Sequence, residues 1–135
     1  MCGIAGAFSL EPGHQPDPRV VEAMSLALAH RGPDGAGQWS ADGVVLGHRR
    51  LAIIDLEPRA AQPMHFRDAD LTVVFNGEIY NFQALKNALQ GRGHRFTTTS
   101  DTEVLLHGYA EYGRDLFPRL RGMYALAIYD GRRAS

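Results

Sequence analysis

The first six residues, Met1-Cys2-Gly3-Ile4-Ala5-Gly6, decide how the rest of the chain is interpreted. Cys2 is the only cysteine among 135 residues, and it is small enough to allow the usual removal of the initiator methionine. After that removal Cys2 carries a thiol and a free α-amine, which both exchange protons near neutral pH. A nucleophile activated by its own N-terminal amine is an established catalytic arrangement. The alternative is a small buried cysteine that only packs.

The overall composition is ordinary for one soluble globular domain. Hydrophobic residues make up 44% of the chain and charged residues 21%, with a formal net charge of −1. The basic residues are scattered, so we expect no nucleic-acid partner. No apolar run is long enough for a membrane span, and residues 4–10 are too short for a signal peptide. A single cysteine excludes an internal disulfide framework and favours the cytoplasm.

Hydrophobic periodicity predicts strands interspersed with helices, which is an α+β architecture. The predicted strands are residues 4–8, 44–46, 51–54, 71–75, 95–98 and 123–129. Loops are predicted at 13–16, 30–37 and 59–63. Asn76-Gly77 is predicted as a turn at the end of a strand, and Asp130-Gly131 as a hairpin turn.

Four helical segments are predicted. Asp17-Pro18 begins a helix whose apolar face carries Val20, Met24, Ala27 and Leu28. The others are residues 82–90, a helix from Ser100 to about Tyr109 opened by a Ser100–Glu103 capping box, and a short turn over 115–120. Because the last predicted hairpin has only one arm, we expect this domain to be truncated at its C-terminal end.

Several segments together predict a binding site for a small zwitterion beside the nucleophile. Arg50 can hold a carboxylate through two parallel hydrogen bonds. The Asn76 side-chain amide and the Gly77 backbone N–H are neutral donors that can form an oxyanion hole. Glu78 and Asp101 can hold an ammonium group. An α-amino acid with a side-chain carbonyl would satisfy this set.

Each of these residues also has a purely structural interpretation. Arg50 can be a surface arginine with its stem packed on the sheet, and Asn76-Gly77 can be a plain β-turn. Asp101 is favoured in the first turn of a helix by the helix dipole alone. Glu78 can be a solvent-exposed carboxylate.

Two other kinds of site are not expected. His30 and His48 have no nearby set of Cys, His or Asp residues that would complete a metal site. The glycine-rich segment 32–37 lacks the G-x-x-x-x-G-K-[ST] pattern and does not join a strand to a helix, so a phosphate loop is not predicted.

The ordered motifs resemble the class II glutamine amidotransferase domain, in particular the N-terminal domain of glutamine-hydrolysing asparagine synthetases. The matching segments cover essentially the whole chain in the family's order and spacing. They are Met1-Cys2-Gly3-Ile4-Ala5-Gly6, His30-Arg31-Gly32-Pro33-Asp34-Gly35, Gly47-His48-Arg49-Arg50-Leu51-Ala52-Ile53, Gln62-Pro63-Met64, Phe75-Asn76-Gly77-Glu78-Ile79-Tyr80-Asn81, Ser100-Asp101-Thr102-Glu103 and Arg121-Gly122-Met123.

The resemblance implies the N-terminal-nucleophile hydrolase fold, an αββα sandwich of two antiparallel sheets between helix layers. It implies that residues 1–135 are a partial type 2 amidotransferase domain with Cys2 as the nucleophile. The implied glutamine-binding residues are Arg50 for the α-carboxylate, Glu78 and Asp101 for the α-ammonium group, and the backbone near Ile53 and Ile54.

The resemblance also implies the partners. L-glutamine is hydrolysed through a γ-glutamyl thioester on Cys2, and the ammonia passes to an ATP-using synthetase domain that activates aspartate. That second domain is absent from this chain, so ATP and Mg are expected only there and no cofactor or metal is expected in the glutaminase domain. A homodimer is an assembly that the resemblance allows.

Two alternatives remain open. The same glutaminase domain can serve another acceptor, such as a cell-envelope or exopolysaccharide precursor. A non-catalytic glutamine-binding domain is the second alternative, and the presence of both Cys2 and Arg50 counts against it.

Overall fold

The computed structural model describes residues 1–133 and contains two three-stranded sheets. The strands are β1 (Gly3–Phe8), β2 (Gly35–Ala41), β3 (Val44–Arg50), β4 (Met64–Phe66), β5 (Leu71–Ile79) and β6 (Gly122–Asp130). The α-helices are α1 (Pro18–Ala27), α2 (Phe82–Gly91) and α3 (Asp101–Tyr112). Short 3₁₀ helices occupy Pro58–Ala60, Arg67–Ala69 and Gly113–Arg119.

Both sheets are antiparallel and each has a long central strand. The first has the order β1-β3-β2 and the second β4-β5-β6. β5 pairs with β6 along its whole length, from Leu71 opposite Asp130 to Ile79 opposite Gly122. β4 covers only Leu71–Val73 of the other edge of β5, so the rest of that edge is available to side chains.

Three apolar clusters define four layers. Val21 of α1 packs on Ala5 and Val45 at the outer face of the first sheet. A second cluster, built from Val44, Leu46 and Val74, lies between the sheets. The largest cluster joins the second sheet to α3 and the Gly113–Arg119 segment. The predicted αββα sandwich is therefore confirmed.

Helix α1 begins as predicted, but it buries a different face. The Asp17 carboxylate accepts a hydrogen bond from the Arg19 N–H at 2.9 Å and caps the helix. Val21 is completely buried, whereas Val20 is 54% exposed. The reason is steric: a Cβ on Gly47 would touch the Ser25 hydroxyl, so this glycine lets α1 approach the sheet along the Val21 side.

The predicted apolar face of α1 was wrong for two further residues. Met24 is 43% exposed, and Ala27 is also exposed. Leu28, which lies just past the helix, is partly buried and packs on the Val21 cluster as predicted. The close approach of α1 to the sheet backbone at Gly47 therefore determines which face of the helix is buried. The spacing of apolar residues in the sequence contains no information about this approach.

Two predicted strands are irregular segments, because side chains capture their backbone donors. In the 51–54 segment, Leu51 N–H donates to Cys2 Sγ and Ala52 N–H donates to the Asp34 carboxylate. In the 95–98 segment, the N–H groups of Thr97 and Thr98 donate to the Glu103 carboxylate. Conversely, the predicted 30–37 loop ends at Gly35, where β2 begins by pairing with β3.

The predicted turn at Asn76-Gly77 is wrong, because β5 continues through it to Ile79. Gly77 has a φ of 149°, and a Cβ there would collide with the Met123 carbonyl oxygen of β6. The glycine is therefore required for close packing of two strands and not for a change of chain direction.

Helix α3 begins at the predicted cap, but Glu103 extends further back than a capping box does. The Ser100 hydroxyl accepts from the Thr102 N–H at 3.1 Å. Glu103 instead accepts from the backbone and hydroxyl groups of Thr97 and Thr98, at distances of 2.6 to 3.2 Å. Burial alone would raise the pKa of Glu103, but hydrogen bonds from His107 and from both threonines outweigh it and lower the pKa to about 2.

None of the helices within residues 1–133 is both long enough and apolar enough to cross a membrane.

Glu103→Gln is expected to destabilise the fold by about 2 kcal/mol at pH 7, because the charge-assisted hydrogen bonds from Thr97, Thr98 and His107 are weakened. The folded-state pKa lies below the ordinary 4.5, so this stabilisation is complete above that pH and is lost as the pH falls towards 2. Urea unfolding of the wild type and the variant at pH 7 and pH 3 measures it.

Glu22→Gln is the matched control, since Glu22 is exposed on α1. A difference between wild type and Glu103→Gln that stays constant from pH 7 to pH 3 would contradict the ionised role of Glu103.

Candidate active site

A cavity of about 90 Å³ lies at one end of the two sheets. All eight residues predicted from the sequence to form the site line it. They are Cys2, Arg50, Ile53, Ile54, Asn76, Gly77, Glu78 and Asp101. They come from four separate parts of the chain, so the site is formed by the tertiary fold and not by one local segment.

Strand alternation brings the nucleophile and the amide face to face. Side chains two residues apart in a strand lie on the same face. Asn76 therefore shares a face with Val74, and Cys2, which directly precedes β1, lies two residues before Ile4. Ile4 and Val74 both pack in the cluster between the sheets, so the Cys2 thiol and the Asn76 amide project into the space where the sheets face each other.

The Cys2 side chain is half-buried and held by the segment after β3. Leu51 N–H donates to Sγ at 3.2 Å, and Sγ lies 3.6 Å from the Leu51 carbonyl oxygen. Arg31 Nε donates to the Cys2 carbonyl oxygen at 3.1 Å. Met1 precedes Cys2 here, lines the cavity and is half exposed. The thiol position is thus fixed by backbone contacts rather than by another titratable side chain.

Arg50 lies at the end of β3, whereas the predicted strands 44–46 and 51–54 would place it directly before the start of a strand. The strand runs unbroken from Val44 because both neighbours pair with it along its length. The Arg50 guanidinium donates to the carbonyl oxygens of Asp55 and Glu57, the latter at 3.1 Å. Since a guanidinium has five donors, three remain for a ligand.

Asp55 joins the two halves of the predicted amino-acid site, although no sequence motif pointed to it. Its side chain is 1% exposed. Its carboxylate accepts from Thr99 N–H at 2.8 Å, from Glu57 N–H at 3.2 Å and from Arg59 Nε at 3.1 Å. These hydrogen bonds, led by that from Thr99, lower the pKa of Asp55. The loop that holds Arg50 is thereby tied to the segment before Asp101.

The Gly77 N–H points towards the cavity edge of β5. Phe75 N–H donates to Gln62 Oε1 at 2.6 Å, and Ile79 N–H donates to Asp101 Oδ2 at 3.0 Å. Alternate N–H groups of a strand point to the same edge. Gly77 lies between these two residues, so its N–H shares that edge.

The Asn76 amide has hydrogen-bonding capacity that the described residues do not use. Its Oδ1 is buried and has no hydrogen-bond partner within residues 1–133. A buried polar group without a partner is costly in a folded protein. A polar ligand in the cavity would remove that cost.

The two carboxylates of the site differ in environment. Asp101 is 5% exposed, whereas Glu78 is exposed. Burial raises the pKa of Asp101, the Ile79 N–H lowers it, and the charge of Glu78 raises it further. A bound ammonium group would offset both the burial and the mutual repulsion.

The remaining predicted residues lie on the segment after β3. Ile53 is 62% exposed and Ile54 is half-buried, and both line the cavity from irregular backbone. Gln62 also lines it, although the sequence supplied only its place in a motif. Within residues 1–133 no group of three or more His, Cys, Asp or Glu side chains is arranged to hold a metal ion.

Comparison with known proteins places these features in a family. A family model described as a glutamine amidotransferase domain matches residues 1–135. The chain is 39% identical to an asparagine synthetase [glutamine-hydrolyzing] of Bacillus subtilis, over 98% of this chain and 22% of that protein. It is also 39% identical to amidase chry2 of Gibberella zeae, over 98% of this chain and 21% of that protein. The chain thus spans about a fifth of the length of these curated relatives.

A solved structure shares the fold. The glutamine phosphoribosylpyrophosphate amidotransferase of Bacillus subtilis, complexed with ADP and GMP, superposes with a TM-score of 0.79 at 24% identity. The match covers 94% of this chain and 35% of that one. The family model, the relatives and the shared fold confirm the resemblance seen in the motifs: the chain belongs to the glutamine amidotransferase domain family.

Proposed function

We propose that this domain hydrolyses the side-chain amide of L-glutamine to glutamate and ammonia, with Cys2 as the nucleophile. The observation that carries the proposal is the meeting of all eight predicted residues in one cavity. It unites a thiol, two neutral donors, a guanidinium and two carboxylates, which is the set that a zwitterion with a side-chain amide requires.

The binding step follows from the charges. Arg50 holds the α-carboxylate with donors that the Asp55 and Glu57 carbonyl groups leave free. Asp101 and Glu78 hold the α-ammonium group. The side-chain amide of glutamine then lies between the Cys2 thiol and the cavity edge of β5, with the reacting carbon near the sulfur.

The acylation step needs the free amine of Cys2, so Met1 must be removed first. The amine takes the thiol proton, and the sulfur attacks the amide carbon of glutamine. Negative charge develops on the amide oxygen, where Asn76 Nδ2 and Gly77 N–H stabilise it. The C–N bond then breaks, the ammonium form of Cys2 returns the proton to the leaving nitrogen, and ammonia departs from a γ-glutamyl thioester.

Water completes the cycle. The Cys2 amine takes a proton from the water as its oxygen attacks the thioester carbon, and the same two donors hold the second oxyanion. The C–S bond breaks, the thiolate recovers the proton, and glutamate leaves. No group other than the Cys2 amine is needed as general base.

We further propose that the ammonia converts aspartate to asparagine in an enzyme whose ATP- and Mg-using domain lies outside this chain. The names of the Bacillus subtilis relatives support this acceptor. The amidase chry2 relative supports another acceptor as the second candidate.

The nucleophile is tested by the intact mass of the full-length protein after reaction with 6-diazo-5-oxo-L-norleucine, a glutamine-like electrophile. We expect one adduct on a chain that starts at Cys2, and none on Cys2→Ala.

A glycine inserted before Cys2 should abolish glutamine hydrolysis, because the amine is then a peptide nitrogen. Full activity in a protein that retains Met1 would refute the role of the amine.

Arg50→Lys is expected to raise KM for glutamine at least tenfold and to change kcat much less, because an ammonium cannot make the paired contact. Steady-state kinetics measures both constants. Arg49→Lys is the matched control: Arg49 donates to the Gly32 carbonyl at 3.2 Å and does not line the cavity. An unchanged KM in Arg50→Lys would remove Arg50 from the carboxylate site.

The acceptor is tested with glutamine labelled with ¹⁵N in its side-chain amide, together with aspartate, ATP and Mg. Full-length protein should place the label in asparagine, and Cys2→Ala should make asparagine only from free ammonia. Release of labelled ammonia without labelled asparagine would favour the second candidate.

A further inference from the structure

The backbone of Phe75, directly before Asn76, is held by side chains on both of its polar groups. Its N–H donates to Gln62 Oε1 at 2.6 Å, and its carbonyl oxygen lies 3.1 Å from His48 Nε2. β4 covers β5 only as far as Val73, so no strand within residues 1–133 pairs with Phe75 on this edge. We call these two contacts the Phe75 bracket.

The neutral His48 ring has one N–H, and that group donates to the Phe75 carbonyl oxygen. His48 belongs to β3 and is 1% exposed. Burial lowers the pKa of His48 to about 4, against the opposing effect of the Phe75 carbonyl, so the ring is neutral at pH 7. A carbonyl oxygen can only accept, so Nε2 carries the proton. Nδ1 is buried and has no partner within residues 1–133.

Gln62 is itself fixed from two directions. Its Nε2 donates to the Thr102 hydroxyl at 3.3 Å, next to Asp101 at the start of α3. A Cβ on Gly37 of β2 would collide with the Gln62 carbonyl oxygen, so the β2 backbone packs directly on it. Gln62 is 9% exposed, which leaves its amide little freedom to move.

We infer that His48 and Gln62 are positioning residues which, through the Phe75 bracket, set the placement of the Asn76 and Gly77 donors relative to Cys2. The inference rests on the proposed function. His48 lies in the sheet whose strand β1 directly follows Cys2, whereas Phe75 lies in the opposite sheet. The His48 contact therefore spans the gap between the nucleophile and the oxyanion hole. Gln62 fixes the other polar group of the same residue and prevents rotation of the strand.

Loss of the bracket should appear in kcat rather than in KM. The oxyanion exists only in the transition state, and glutamine is bound in the ground state by Arg50, Glu78 and Asp101. His48→Leu and Gln62→Met each replace a polar side chain with an apolar one of similar size. His48→Leu removes the contact to the Phe75 carbonyl oxygen, and Gln62→Met removes the contact to the Phe75 N–H together with that to the Thr102 hydroxyl. We expect each to lower kcat for glutamine about tenfold or more, with KM within about twofold. His48→Gln retains a donor and should recover most of the loss.

Thr72→Val provides the structural control on the same strand. The Thr72 hydroxyl lies 2.9 Å from His65 Nδ1, and Thr72 is buried but does not line the cavity. This variant should lower Tm without changing kcat. In an Asn76→Ala background His48→Leu should have a much smaller effect on kcat than in the wild type, because it acts through the oxyanion donors.

Failure of this inference and of the proposed function are distinguishable. Unchanged kcat in both bracket variants, with only a lower Tm, would overturn the positioning role in an active enzyme. If the wild type does not hydrolyse glutamine, the proposed function fails, and amide hydrogen exchange in the full-length protein tests the bracket. Faster exchange at Phe75 in Gln62→Met and at Gly77 in His48→Leu would support it, and unaltered exchange at both would overturn it.

Discussion

The face-to-face packing of two antiparallel sheets is the constraint on which the site depends. Side chains alternate along each strand, and packed sheets lie about 10 Å apart. Once Leu46 and Val74 pack against each other between the sheets, the directions of the side chains further along the same strands are fixed. Cys2 and Asn76 then project into one cavity from opposite walls, although 73 residues of chain separate them on the printed sequence. The placement of Cys2 and Asn76 thus depends on an apolar contact between residues that do not line the cavity.

The first turn of α3 shows how position separates the chemistry of two nearby carboxylates. Asp101 lines the cavity and has its pKa raised by burial, which outweighs the hydrogen bond from the Ile79 N–H. Glu103 lies two residues further along the helix, accepts hydrogen bonds from Thr97 and Thr98, and has its pKa lowered to about 2. Asp101 leaves room for a cationic ligand, whereas Glu103 is fully used by the protein. Helix-dipole arguments alone treat the two as equivalent.

Errors in the predicted elements have one physical origin. Residues 51–54 and 95–98 are apolar or β-branched enough to suggest strands, but Cys2, Asp34 and Glu103 capture their N–H groups. Asn76-Gly77 has the composition of a turn, but the close approach of β6 keeps it in a strand. Partners distant in sequence decide each case, and a local pattern contains no information about them. Elements with local determinants, such as the Asp17 cap and the helix beginning after Ser100, were predicted correctly.

The sequence by itself determined the family, the αββα fold and eight of the residues that line the cavity, because ordered motifs specify which chemical groups are present and in what order. Only the tertiary structure decided what holds those groups in place. Asp55 joins the loop after Arg50 to the segment before Asp101 through the Thr99 N–H. His48 and Gln62 hold the backbone of Phe75. These contacts bind side chains to backbone groups of distant segments. Backbone N–H and carbonyl groups are the same in nearly every residue, so the sequence does not show which side chain each of them contacts. Only the folded chain shows it.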